Sequence, residues 1–403
     1  MHSSANSAES VGQNCGWRSL VRSGALCLLC LLLGLSGLAE AAGRADRRGE
    51  SRPPAGPGEP SWIMIHAATG EVLDSREPDR PGPPASMTKM MLALLTLEAV
   101  RDGQLKLSDP VRVSRLASKM GGSQVYLKES EQFPMEDMLA ALLIGSANDA
   151  AVALAERLTG SVESTIKRMN ERAAALKLSQ TRFGSVHGLP PGPGQEGDVS
   201  TPRNMARLSQ ALLEHPNVLR WTGTKEAPFR GGSFILRNSN HLIGQFSGAD
   251  GIKTGHYFEA GYNLAATAQR GSLRLIAVVM GAPSNKARFA EAARLLGEGF
   301  NRYVEVAVVK AEAPMGAEIR PSRAAFAFRP ITTKELRVVV KREEREQITT
   351  SVEIAPDVRA PLKRGDVIGS LIVRVGGREM LRAPVIAPAA IPRSFFWWLT
   401  PWK

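Results

Sequence analysis

From Met90 the chain runs through Met91, Leu92, Ala93, Leu94, Leu95, Leu97 and Val100 with hardly a polar position before the charges at Glu98 and Arg101. A helix that is apolar all round has no face to give to water, so it has to lie inside a domain. Pro83 and Pro84 stand just upstream, where proline suits a helix start better than a helix interior. The helix opens on Ser86-Met87-Thr88-Lys89, whose spacing sets a hydroxyl beside an amine across one turn. Ser86 is thereby expected at the positive end of a helix dipole, where a nucleophile that generates an oxyanion gains from nearby backbone N–H groups. Spacing alone does not single it out, because Ser164-Thr165-Ile166-Lys167 repeats the pattern.

Two other stretches accompany Ser86. Gly145-Ser146-Ala147-Asn148-Asp149 falls between two helical runs, which puts Ser146 and Asn148 on a short connection at a surface or cleft. The Ser-x-Asn pattern also occurs at Ser4-Ala5-Asn6. Asp250-Gly251-Ile252-Lys253-Thr254-Gly255-His256 is expected just ahead of a strand, and Lys-Thr-Gly occurs nowhere else in the chain. The three in this order, each at an element boundary, are far more specific than any one of them.

Their chemistry is coherent. A serine that attacks an amide needs a base, and Lys89 is the nearby candidate at fixed spacing, able to act only when neutral. Burial and a second cation, Lys253, both depress its pKa. Ser146 can relay a proton to the leaving amine, and Asn148 is suited to orient Lys89 and the substrate amide. Lys253 and Thr254 offer a cation and a hydroxyl for a terminal carboxylate.

Around these motifs, 62–66 and 71–74 are strand-like runs about a Thr69-Gly70 turn. Helical periodicity marks 135–144, 149–158, 162–176 and the stretch from Thr201-Pro202 through Leu213. Runs 260–270 and 273–281, split by Gly271-Ser272, form a hairpin, and 284–303 is helical. This order predicts an α+β domain, an antiparallel sheet covered by helices, over 61–303. Short β-branched runs at 304–309, 336–340, 349–354, 368–375 and 378–381 predict a small all-β domain over 304–387.

At the N-terminus, Arg18 and Arg22 precede an apolar run from Gly24 to Leu38, and Ala39-Glu40-Ala41 offers small residues for cleavage. Residues 1–41 therefore read as a secretory signal, followed by a Gly/Pro-rich linker over 42–60. Cys15, Cys27 and Cys30, the chain's three cysteines, all fall inside that signal. The exported protein has neither disulfides nor a thiol nucleophile. The formal charge of +12 comes with no basic run interleaved with aromatics, which argues against nucleic acid as a partner. Residues 388–403 hold three of the six tryptophans, between Arg393 and Lys403. Too short to span a bilayer, this tail suits a membrane surface, or else folds back on the β domain.

The motifs Ala85-Ser86-Met87-Thr88-Lys89-Met90, Gly145 to Ala150 and Asp250 to His256 resemble those of low-molecular-mass penicillin-binding proteins of the D-alanyl-D-alanine carboxypeptidase family. The likeness runs from about Ser61 to Tyr303 and takes in Arg237-Asn238-Ser239-Asn240 and Ala260-Gly261-Tyr262. It implies a β-lactamase/transpeptidase-like domain followed by a β domain with a membrane-anchoring end, no cofactor and no metal. The implied activity is removal of the terminal D-alanine from peptidoglycan stem pentapeptides, with β-lactams as covalent inhibitors. Ser86, Lys89 and Ser146 would be catalytic, and Asn148, Lys253, Thr254, Gly255 and His256 would bind substrate. The oxyanion hole would be the N–H groups of Ser86 and His256, so the His256 imidazole need not be catalytic, with a general-base role as its alternative. His187 would be structural. Location would be periplasmic, peripheral to the outer face of the inner membrane.

Three other readings stay open. A DD-endopeptidase would use the same residues on cross-links. A serine β-lactamase would need a deacylating carboxylate, and no ExxLN-like stretch lies between Asn148 and Lys253. A non-catalytic wall-binding scaffold would have no use for six intact polar residues. The sequence departs from the family where an acidic residue often follows His187-Gly188-Leu189, since Pro190-Pro191 and a Gly/Pro loop stand there instead.

Overall fold

Residues 58–395 are described by a computed structural model of the chain. The signal segment, most of the linker, residues 396–403 of the aromatic tail and all three cysteines lie outside them.

The chain opens with Ser61–His66 (β1) and Val72–Arg76 (β2), an antiparallel hairpin turning at Gly70 with φ 72°. A 3-10 turn at Ala85–Thr88 then feeds Lys89–Arg101 (α1), in which every residue from Lys89 to Ala99 is buried. Pro110–Arg112 (β3), Arg115–Ser118 (α2) and Gln132–Pro134 (β4) form a small flap, followed by Met135–Leu143 (α3), Asn148–Thr159 (α4) and Val162–Ala175 (α5). Pro202–Leu213 (α6) starts as its sequence predicts, with Pro202 at the first turn and the Thr201 hydroxyl accepting from the Asn204 N–H. Val218–Thr222 (α7) leads to the ribbon Glu226–Phe229 (β5) and Phe234–Arg237 (β6).

Next come three long strands, Ala249–Tyr257 (β7), Gly261–Arg270 (β8) and Leu273–Ala282 (β9), then Asn285–Arg302 (α8). They complete a five-stranded antiparallel sheet in the order β2-β1-β9-β8-β7. The expectation for Asp250 to His256 needs correcting here: it lies within β7, at the sheet edge, rather than ahead of a strand. Its two glycines and its lysine disguise it, since none favours a strand.

Both faces of the sheet are covered. Ile63, Ile65, Ile276 and Val278 point into a core shared with α1, α3, α4 and α6. Their neighbours Trp62, Met64, Leu275, Ala277 and Val279 point the other way, onto Leu295, Leu296 and Phe300 of α8. Alternation along a strand thus serves two cores, which is why β1 and β9 read as nearly continuous apolar runs. The all-apolar α1 sits between the sheet and the other helices, where each buried leucine or methionine contributes roughly 1.5–3 kcal/mol. Its N-terminal turn is held at one end of this layer, against β7 and β8.

Beyond α8 the chain is all β: Tyr303–Val309 (β10) pairs with Leu336–Lys341 (β11), and Ile348–Ile354 (β12), Val367–Val375 (β13) and Arg378–Ile386 (β14) form a three-stranded sheet. Val338 and Val340 of β11 belong to this core, while Val339 between them packs on the α8 side. At the junction the buried His66 of β1 meets Glu305 of β10 at 3.3 Å, and burial lowers the histidine's pKa despite that carboxylate.

Candidate active site

The turn that carries Ser86 is strained into place. Ala85 adopts φ 51°, and the 3-10 geometry of Ala85–Thr88 brings Lys89 Nζ to 3.0 Å from Ser86 Oγ. Lys89 is completely buried and donates also to the His187 carbonyl at 2.6 Å. Burial first, and then the Lys253 cation, push its pKa well below the usual lysine range, while Asp198 and Asp149 pull the other way. An amine so placed, beside a serine hydroxyl, is equipped to take a proton. The second Ser-x-x-Lys has no such setting: Lys167 is 81% exposed on the surface of α5, facing Glu171 one turn on.

Ser146 sits in the turn between α3 and α4 with φ 58°, a conformation uncommon for serine. Its Oγ accepts from Lys253 Nζ at 2.9 Å. Lys253 lies mid-strand in β7, is buried, and donates also to the Thr254 carbonyl at 3.1 Å. Burial, with Arg288 behind it, lowers its pKa to about 7. Two of the three donors of a Lys253 ammonium are thereby used, on Ser146 and the Thr254 carbonyl, and the third is left for a carboxylate. Thr254 Oγ1 lies 2.5 Å from Ser239 Oγ, which ties Lys-Thr-Gly to the Arg237-Asn238-Ser239-Asn240 stretch.

Asn148 opens α4. Its Nδ2 donates to the Gly121 carbonyl at 2.7 Å, and its buried Oδ1 has no hydrogen-bond partner among the described residues. Among the described residues no hydrogen bond joins the Asn148 side chain to Lys89, whose amine is held by Ser86 and the His187 carbonyl. An unpaired buried amide oxygen is costly, so Asn148 Oδ1 is suited to accept from a ligand N–H.

Gly255 and His256 finish the wall. A Cβ on Gly255 would lie 2.3 Å from the Pro84 carbonyl, so β7 can lie against the Ser86 turn only with glycine there. The His256 side chain is exposed, stacked on Tyr262 with ring centroids 3.8 Å apart, and its Nδ1 faces the Gly261 carbonyl at 3.0 Å. Among the described residues no hydrogen bond joins this side chain to Ser86.

A sequence profile of the D-alanyl-D-alanine carboxypeptidase family matches residues 55–284, and one for the penicillin-binding protein 5 C-terminal domain matches residues 329–393. The chain belongs to the D-alanyl-D-alanine carboxypeptidase family. Among relatives, the D-alanyl-D-alanine carboxypeptidase DacF of Bacillus subtilis is 35% identical over 83% of this chain and 86% of its own length. Penicillin-binding protein 5 of Haemophilus influenzae superimposes with a TM-score of 0.73 at 27% identity, over 85% of this chain and 99% of that one. Ampicillin-bound penicillin-binding protein D2 of Listeria monocytogenes is 33% identical with a TM-score of 0.55, over 60% of this chain and 96% of that one.

The sequence gives no site role to three further residues of this family member. His187 acts through a carbonyl, which carries no residue signature; its own imidazole is neutral, its pKa lowered to about 4 by burial and by Lys89, and Nδ1 accepts from the Leu189 N–H. Asp149, buried beside Asn148, accepts from the backbone N–H groups of Val125 and Leu127 and so ties that stretch to the start of α4. Asp198 lies in the Gly/Pro loop and is buried.

Proposed function

We propose that this chain removes the terminal D-alanine from peptidoglycan stem pentapeptides through an acyl-enzyme on Ser86. The observation that carries the reading is the buried Lys89 amine 3.0 Å from Ser86 Oγ. Ser86 Oγ attacks the carbonyl carbon of the D-Ala–D-Ala amide and its proton passes to Lys89 Nζ. The oxyanion so formed is stabilised by the N–H groups of Ser86 and His256. As the C–N bond breaks, the leaving nitrogen takes a proton from Ser146 Oγ, which accepts from Lys253 and so has its own hydrogen to give. The Lys253 ammonium resupplies Ser146 Oγ; water then attacks the ester carbonyl, its proton returning to Lys253, and Ser86 Oγ leaves with the proton held on Lys89 Nζ.

Substrate contacts follow from the same groups. The unpartnered Asn148 Oδ1 accepts from a stem-peptide N–H, and the Thr254 hydroxyl receives the terminal carboxylate. β7 is an edge strand, so an extended peptide can add to it. β-Lactams, as cyclic acylating amides, enter by the same attack and leave a covalent adduct. Such work lies outside the cytoplasmic membrane, in keeping with the basic, apolar N-terminal segment. The aromatic tail would hold the enzyme at the membrane surface; among the described residues no helix is long and apolar enough to cross it.

D-Alanine release from a peptidoglycan pentapeptide, measured beside Ser86→Ala, tests the reading. Release by the wild type and none above background from Ser86→Ala is the expected result. Release that survives the substitution would remove Ser86 as nucleophile. Scission of dimeric muropeptides without release from monomers would turn the assignment to an endopeptidase.

A further inference from the structure

One buried carboxylate joins the two pieces of chain that hold Lys89. Asp198 Oδ2 accepts from Thr88 Oγ1 at 2.8 Å, and Thr88 is the residue just before Lys89. The same oxygen accepts from Ser185 Oγ at 2.9 Å, while Oδ1 accepts from the N–H groups of Gly184 and Ser185 at 2.7 and 2.9 Å. Ser185 Oγ in turn accepts from the Gly188 N–H at 2.8 Å, closing the 184–188 loop on itself. That loop carries the His187 carbonyl to which Lys89 donates. It is pressed on the Ser86 turn so closely that a Cβ on Gly188 would lie 2.1 Å from the Ala85 carbonyl. Both ends of the Lys89 environment, the Ser86 turn and the carbonyl opposite, are therefore fixed to one residue that is only 5% exposed.

We propose that Asp198 is a positioning residue for Lys89: its carboxylate locks the Ser86 turn to the 184–188 loop and supplies a negative charge that faces the Lys89 amine. This rests on the reading of Lys89 as the base. Carboxylate geometry suits the task, because its four lone-pair sites serve two hydroxyls and two backbone N–H groups at once. Burial raises the Asp198 pKa and these four donors oppose the rise. The groups that face Lys89 are Asp198 from the loop, Asp149 from α4, Lys253 from β7 and the neutral His187. Of these, the two aspartates favour the protonated amine and Lys253 disfavours it.

The test is the second-order rate of labelling by a fluorescent penicillin, per folded molecule, from pH 5 to 10, on full-length wild type, Asp198→Asn, Asp198→Ala and Lys89→Ala. Asp198→Ala, which drops all four contacts, is expected to lose on the order of 10²-fold in rate, as displacement of a catalytic group does. Asp198→Asn keeps the size and most contacts, so it should retain much of the rate. Removing the anion lowers the Lys89 pKa, leaves more neutral amine in acid, and moves the acid limb of the Asn profile to lower pH. Wild-type rates and limbs in both variants, with a fall only in melting temperature, would overturn the proposal. A rate loss with the acid limb unmoved would overturn it too, since Asp198 would then act without changing the ionisation of Lys89. Lys89→Ala separates the two levels: labelling at the wild-type rate would sink the base itself, whereas its loss beside normal Asp198 variants would sink only the positioning role.

Discussion

Lys89→Ala is expected to slow acylation by about 10²- to 10⁴-fold, the range for loss of a positioned general base. The same substitution should leave a folded protein, because alanine suits a helix start and the buried amine costs desolvation in the native state. Wild-type acylation depends on the neutral fraction of Lys89, so its rate rises as pH climbs through the lysine's lowered pKa. Lys253→Met supplies the sign test. It removes the cation that disfavours protonated Lys89, so the Lys89 pKa rises and the acid limb moves to higher pH. Labelling rates across pH check both variants. An acid limb for Lys253→Met at or below the wild-type position would show that Lys253 is not the charge that tunes Lys89.

Much of this site could be found in the sequence because the residues that do chemistry are side chains at fixed spacing in one helix, one turn and one strand. Ser86 and Lys89 could be paired across a turn, and the apolar run behind them forced the pair into a core. The same logic found α6 from Thr201-Pro202, α8 from its periodicity and the β8–β9 hairpin from Gly271, which takes φ 59°. What stayed hidden is held by contact and not by spacing. Asp198 reaches Thr88 across 110 residues of chain, and the His187 contribution is a carbonyl that any residue could supply. Short pieces such as α2, α7 and the β5–β6 ribbon have too few residues for periodicity to register. β7 stays hidden for a different reason: Gly255 answers to the Ser86 turn and Gly251 to the Thr222 side chain packed on it, not to strand propensity.

Gly255→Ala turns that last point into an expected result. The added methyl would sit 2.3 Å from the Pro84 carbonyl and 3.1 Å from the Ser86 N–H, so either the strand or the turn has to move. Neither is free to do so. From behind, the Arg288 guanidinium donates to the carbonyls of Gly255 and Asn263, both at 3.1 Å, and so pins β7 and β8 together. The turn is tied down as well, since Asn263 Nδ2 donates to the Pro83 carbonyl at 2.9 Å. Displacement of Ser86 against Lys89 is then the remaining outlet, and a shift of about 1 Å is enough for a loss on the order of 10²-fold in acylation. Penicillin labelling and thermal melting should both fall for this variant. Gly297→Ala is the contrast, placed in the interior of α8 with nothing within 4 Å of its added methyl. It should raise stability by roughly 0.5–1 kcal/mol and leave labelling unchanged. Wild-type labelling by Gly255→Ala would mean that β7 can retreat from the turn, and that the glycine of Lys-Thr-Gly serves some end other than the close approach of strand to nucleophile.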